Sequence, residues 1–236
     1  LIGDAMREEL AAIGEGFLRN GVAAITVLTQ TAAARDEILH SLQPKAAVPV
    51  DVREIGNDLE AALDALLQSQ GGFDVVVSAP FARLPFNALA AEAGGSWNRV
   101  LSHEGFARLV DEQLTHHFRV ARRAALVPNC QIVLLTPDTS FVSSREEFAL
   151  ALFVKNSLHA FTVTLGVETE RLPTTPAVNQ VQLTRRARAE EPATERELAE
   201  EMERLVSAVL ACSVPAPSPA ESRYLARIFR GNAVTV

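Results

Sequence analysis

Residues 144–172 read SREEFALALFVKNSLHAFTVTLGVETERL. Ser144 followed by Glu147 makes a capping box, in which each side chain satisfies a backbone donor at a helix start. Seven apolar residues then run unbroken from Phe148 to Val154, and Leu158, Ala160, Phe161, Val163, Leu165 and Val167 continue the pattern. A single buried stripe cannot hold them all, so this helix is expected to be covered on two sides, by its own sheet and by something else. Lys155 is the one lysine or arginine in its middle. The residues leave two readings of it open: methylenes laid on apolar surface with the ammonium in water, or a functional lysine.

Outward from this helix the chain alternates. Leu1-Ile2-Gly3-Asp4 reads as the end of a truncated strand and its turn, which suggests a piece of a longer polypeptide. Met6 to Asn20 reads as a helix closed by Gly21, Ala24 to Thr29 as a strand, and Ala32 to Leu42 as a helix. Val48 to Val52 is a strand, Leu59 to Gln70 a helix ended by Gly71-Gly72, and Phe73 to Ala79 a β-branched strand. A loop insertion over about 80–96, with two prolines and Gly94-Gly95, precedes a long helix from Glu104 to Val127 and the strand Gln131 to Thr136. Beyond the opening helix come the strand Val178 to Leu183, the amphipathic helix Glu195 to Ala211, a proline connector over about 213–220 and a last strand, Ala233 to Val236. Alternating elements with continuously apolar strands predict an α/β fold: one domain over 1–236, its doubly wound, Rossmann-type parallel sheet covered by helices on both faces.

Composition narrows the function. A net charge of -7 disfavours nucleic acid or an anionic membrane as partner. No signal peptide and no uninterrupted apolar run of about 18 residues is present, so no membrane span is expected. Cys130 and Cys212 lie in apolar surroundings without metal-ligand spacing, which suits a reduced, cytoplasmic protein and no metal site.

The order of elements, the phrase KNSLHAFT at 155–162 followed by Leu165 and Glu168, Trp97-Asn98-Arg99-Val100-Leu101 and Val178-Asn179-Gln180-Val181 resemble the short-chain dehydrogenase/reductase family over essentially the whole chain. The resemblance implies a sheet that binds NAD(P) at its strand tips and catalysis by an Asn, a Ser, a Tyr and a Lys. Carried over residue by residue, only Lys155 matches. The tyrosine position, four residues before it, is Ala151, which has no hydroxyl to donate a proton. The serine position falls near Asp138, Thr139 or Ser140, and the asparagine position at Gln113. The glycine-rich turn is Gly3-Asp4-Ala5-Met6-Arg7-Glu8-Glu9, one glycine and three acids where a pyrophosphate would approach a helix N-terminus. Val77-Ser78-Ala79-Pro80 and Leu183-Thr184 replace two further cofactor-side motifs, and Asp51-Val52 alone retains the look of the adenine-side pair.

The expectation is a degenerate domain of this family, itself without cofactor. Stretches such as 114–122, 153–170, 182–186 and 222–236 resemble a large multidomain NADPH-dependent reductase of a coenzyme A thioester, which implies support of a neighbouring catalytic domain in the same polypeptide or assembly. In the family this helix and the one before it pair with their copies, so Phe148, Leu150, Phe153 and Phe161 are the expected contacts of a homodimer or of a sister domain. Lys155 then reads as vestigial, with Thr139 and Gln113 as its possible companions in an alternative, active reductase. Arg119 and Arg122, with Arg123 and His116-His117, are candidate ligands for an acidic group such as a CoA ester, against the reading of a solvated or partner-facing helix side. Tyr224 reads as packing.

Overall fold

A computed structural model describes residues 1–4, 6–56, 58–80, 103–136, 145–169, 171, 176–182, 195–213 and 233–235. The Ser144 capping box, the 80–96 loop beyond Pro80, Thr139, Tyr224 and the proline connector beyond Ser213 lie outside these residues, as does the side chain of Phe148.

The helices are α1 (Arg7–Arg19), α2 (Ala32–Leu42), α3 (Leu59–Gln70), α4 (His103–Val110), α5 (His116–Ala124), α6 (Arg145–Thr169) and α7 (Glu195–Ser213). The strands are β1 (Ile25–Thr29), β2 (Val50–Glu54), β3 (Val75–Ser78), β4 (Gln131–Thr136), β5 (Ala177–Gln182) and β6 (Ala233–Thr235). β1 pairs with β2, and β3, β4, β5 and β6 follow one another, every pair parallel. Ile2 joins the two sets by bridging Leu28 on one side and Ser78 on the other. The sheet therefore runs β2, β1, Ile2, β3, β4, β5, β6, with the short first strand between β1 and β3, and it is a doubly wound α/β sheet as the alternation predicted.

Period-two alternation sorts the core into two layers. Val133 and Leu135 of β4 pack with Leu10 and Ile13 of α1, Ile38 of α2 and Leu205 of α7. Ile132 and Leu134 face the opposite way, toward Leu63 and Leu66 of α3 and Val120 of α5. A third cluster joins Leu109 and Leu114 to Leu150, Ala151, Val154 and Leu158 of α6. α1 and α7 approach closely because Gly16 has no side chain: a Cβ there would lie 2.4 Å from Val206 Cγ1.

The single helix expected over 104–127 is interrupted by a π turn, Asp111–Thr115, between α4 and α5. Such a turn holds one surplus residue and shifts the phase of the helix beyond it. β2 begins and ends two residues later than expected, because its register is set by pairing Ile25 with Val50 rather than by its own apolar residues. α6 is, among the described residues, the one helix long and apolar enough by composition to cross a membrane, with a mean hydropathy of 1.3 over Leu150–Thr169. In the fold its Ala151, Val154, Leu158 and Thr162 are buried.

Candidate functional site

In an open parallel sheet, ligands bind beyond the carboxyl ends of the strands where the strand order reverses. Here the reversal falls at Ile2, from which the chain passes outward to β1 and β2 and then returns to β3. The loops flanking the crevice are Gly3-Asp4, Gln30-Thr31 and Ala79-Pro80.

These loops are tied together. Gly3, at φ +140°, sits so close to Ala79 that a Cβ would meet its carbonyl oxygen at 2.7 Å. The Asp4 amide donates to the Pro80 carbonyl at 3.2 Å. On the other side, Asp4 Oδ1 accepts from the Gln30 amide at 2.8 Å and Oδ2 from the Thr31 hydroxyl at 2.8 Å. Thr31 also caps α2 by accepting from the Ala34 amide. Asp4 is 5% exposed, whereas Glu8 is exposed and Glu9 half-buried, so one of the three acids read from the turn is an internal strut. Arg7 Nε donates to the Asp4 carbonyl, and its guanidinium pairs with Glu37 at 3.0 Å. Asp51 pairs with Arg53 at 2.6 Å.

Beneath the neighbouring strand tips lies a buried polar layer that the sequence did not reveal. His117 Nδ1 is 2.8 Å from Ser78 Oγ, and the rings of His116 and His117 are 3.8 Å apart. Both histidines are buried, which corrects the expectation of a solvated or partner-facing pair. Burial holds His116 down to about 3, against a backbone hydrogen bond to Ala79 that raises it, with Arg119 lowering it further. Burial, then the neighbouring His116, puts His117 well below the usual imidazole range. Gln180 Nε2 donates to Thr136 Oγ1 at 2.6 Å between β5 and β4. Gln113 is fully buried on the π turn.

On α6, Ala151 is fully buried and Lys155 half-buried, and Lys155 makes no hydrogen bond or ion pair among the described residues. Arg119, Arg122 and Arg123 converge on Glu60 of α3 at 3.9, 3.5 and 3.2 Å, and Arg123 also meets Asp64 at 3.1 Å. They lie on the outer side of α5 and are engaged with carboxylates of the same chain. Phe153 and Phe161 are half-buried and meet Phe106 and Phe118 at 5.1 and 3.9 Å between ring centres, while Leu150 is turned inward. The outer face of these helices instead presents Phe106, Phe118, Leu152, Val163 and Val167, each at least 39% exposed. Burial pushes Cys130 up to about 12, with Asp74 also raising it, and burial pushes Cys212 up to about 11, which disfavours the thiolate at both. A cavity of about 450 Å³ opens at the other end of the sheet, beneath Leu1 and between Thr26 and Val75.

No protein-family model matches the chain, and no curated protein does. Among solved structures, a Serratia marcescens short-chain dehydrogenase/reductase variant matches all of the chain and 94% of its own length with a TM-score of 0.69 at 16% identity. A short chain dehydrogenase from Mycobacterium smegmatis matches with a TM-score of 0.69 at 15% identity, over all of this chain and 89% of its own. The fold is thus that of the short-chain dehydrogenase/reductases. The chain is further similar, at 38% identity over its whole length and a TM-score of 0.85, to the C-domain of bacterial malonyl-CoA reductase, crystallised with NADP. It spans 35% of that chain.

Proposed function

We propose that this chain is a non-catalytic domain that supports a catalytic sister domain within an NADPH-dependent reductase of the malonyl-CoA reductase kind, which would convert malonyl-CoA to malonate semialdehyde or 3-hydroxypropionate in the cytoplasm. The observation that carries the reading is Asp4: a buried carboxylate already occupies the Gln30 and Thr31 donors at the switch point. A dinucleotide phosphate brought there would meet like charge and donors already engaged, so the residues do not fit the cofactor. The buried Ala151 supports the same reading, because it leaves Lys155 without a neighbouring hydroxyl for proton transfer at the family's tyrosine position.

The domain's contribution is then a surface. Leu152, Val163 and Val167 of α6 with Phe106 and Phe118 form an apolar face of the type buried in permanent assemblies, against a sister domain or a second copy. Titrating NADPH into this chain alone, and assaying NADPH oxidation with malonyl-CoA for the chain alone and joined to its catalytic neighbour, tests the reading. The expected result is no binding and no turnover alone, with activity in the combined sample.

A second reading, an active reductase with atypical residues, is favoured by the similar C-domain, which was crystallised with NADP. Nicotinamide fluorescence enhancement on mixing NADPH with this chain alone would select it.

A further inference from the structure

We propose that Asp4 is an autoinhibitory contact: its carboxylate holds the switch-point crevice closed by taking the donors that a phosphate-bearing ligand would otherwise use. This rests on the reading above and deepens it by naming the ligand chemistry from which the crevice is barred. The contact is two-sided. The side chain fastens Gln30 and Thr31, which follow β1, while the amide of the same residue fastens Pro80, which follows β3. One residue therefore spans the gap between the two halves of the sheet at the place where the strand order reverses.

The α2 side of the crevice favours an anion at this position, whereas the first turn of α1 carries Glu8 and Glu9 and Arg7 is paired with Glu37. The Arg7 guanidinium reaches the Asp4 carbonyl, and the first turn of α2, which Thr31 caps, contains no acid. The chain fills the position with its own anion. Gln30 and Thr31 are exposed, so a phosphate could approach their donors from solvent once the carboxylate is gone. Gly3 already lets the backbone pass close to Ala79, so no rebuilding of the turn is required for a small anion to replace the side chain.

The test is calorimetric titration of inorganic pyrophosphate into the 236-residue chain and into its Asp4→Ala and Asp4→Asn variants, with circular dichroism as the check on folding. Asp4→Asn keeps the shape and removes the charge. Both variants are expected to bind pyrophosphate at least tenfold more tightly than the wild type, with affinity falling as salt is raised. A folded variant that binds no better than the wild type overturns the inference. Loss of folding in both variants also overturns it, since Asp4 would then be a brace on which the fold depends and not a contact that closes a site. Parallel NADPH titration separates the two proposals: saturable binding to the wild type removes the cofactor-free reading, whereas an inert wild type with inert variants removes only the role given to Asp4.

Discussion

His117 Nδ1 and Ser78 Oγ lie 2.8 Å apart in full burial, so the tip of β3 is fastened to the first turn of α5 by an imidazole that must stay neutral. With both His116 and His117 depressed below the ordinary 6.5, the unfolded chain binds more protons than the folded one below that pH. Their contribution to stability is complete above about 6.5 and is lost as pH falls toward their folded values, by about 1.4 kcal/mol per pH unit for each histidine. Denaturant midpoints at pH 6.5 and pH 5 should therefore differ less for His117→Gln, which hydrogen-bonds without titrating, than for the wild type. An equal difference would remove the histidines from the account.

Gly16 is the point where α1 touches α7. Helix propensity alone would make Gly16→Ala stabilising by about 1 kcal/mol. The clash with Val206 Cγ1 outweighs that, since a β-branched side chain in a helix has little freedom to move aside. A net loss of about 1–2 kcal/mol is expected, and Val206→Ala in the same chain should recover part of it in a double-mutant cycle.

Restoring a tyrosine on α6 should not restore chemistry. Ala151 is packed among Leu109, Leu114, Val154 and Leu158 with no exposed surface, so Ala151→Tyr overpacks this cluster and costs about 3 kcal/mol. Thermal unfolding should report the loss, and an NADPH oxidation assay should stay flat. Turnover by this variant would mean that the crevice still accepts the cofactor.

The outer apolar face predicts a separation between folding and assembly. Leu152→Asp and Val167→Asp alter exposed positions and should leave the circular dichroism spectrum unchanged while weakening association at least tenfold, as buried unpaired charge would. Leu150→Asp, by contrast, strikes the chain's own core and should unfold it. Sedimentation profiles identical to wild type for both surface variants would argue that nothing covers this face.

Arg123 is less exposed than Arg122 and meets two carboxylates on α3. Arg123→Ala is expected to cost about 1 kcal/mol and Arg122→Ala about half of that or less, with both effects shrinking at high salt. Urea unfolding at low and high salt measures the difference.

Much of this architecture is set by local signals. Continuous apolar runs such as Val75 to Val77 and Ile132 to Leu135 identify buried parallel strands, and Gly21 and Gly71, both in left-handed conformations, end α1 and α3 as their positions suggest. The features that are not legible in the sequence depend on distant partners. The acidity of Asp4 is visible after Gly3, but Gln30 and Thr31, which bind it, stand 26 and 27 residues away. The Ser78 to His117 contact spans 39 residues, and nothing in His116-His117 as a pair announces that both will be buried. The three arginines of α5 look available in the sequence because their acids lie on another helix.

The π turn at Asp111–Thr115 makes α4 and α5 a single rod with a built-in quarter twist. Removing the surplus residue would let the turn close as ordinary α-helix while α4 and α5 keep their places. The imidazoles would keep their seat beneath the sheet, Phe118 its contact with Phe161 and the arginines their reach to Glu60. A single-codon deletion in this short segment would thus spare the sheet contact, the apolar face and the charge network together, whereas the same loss inside a helix without a surplus residue, such as α3, would turn everything beyond it by about 100°.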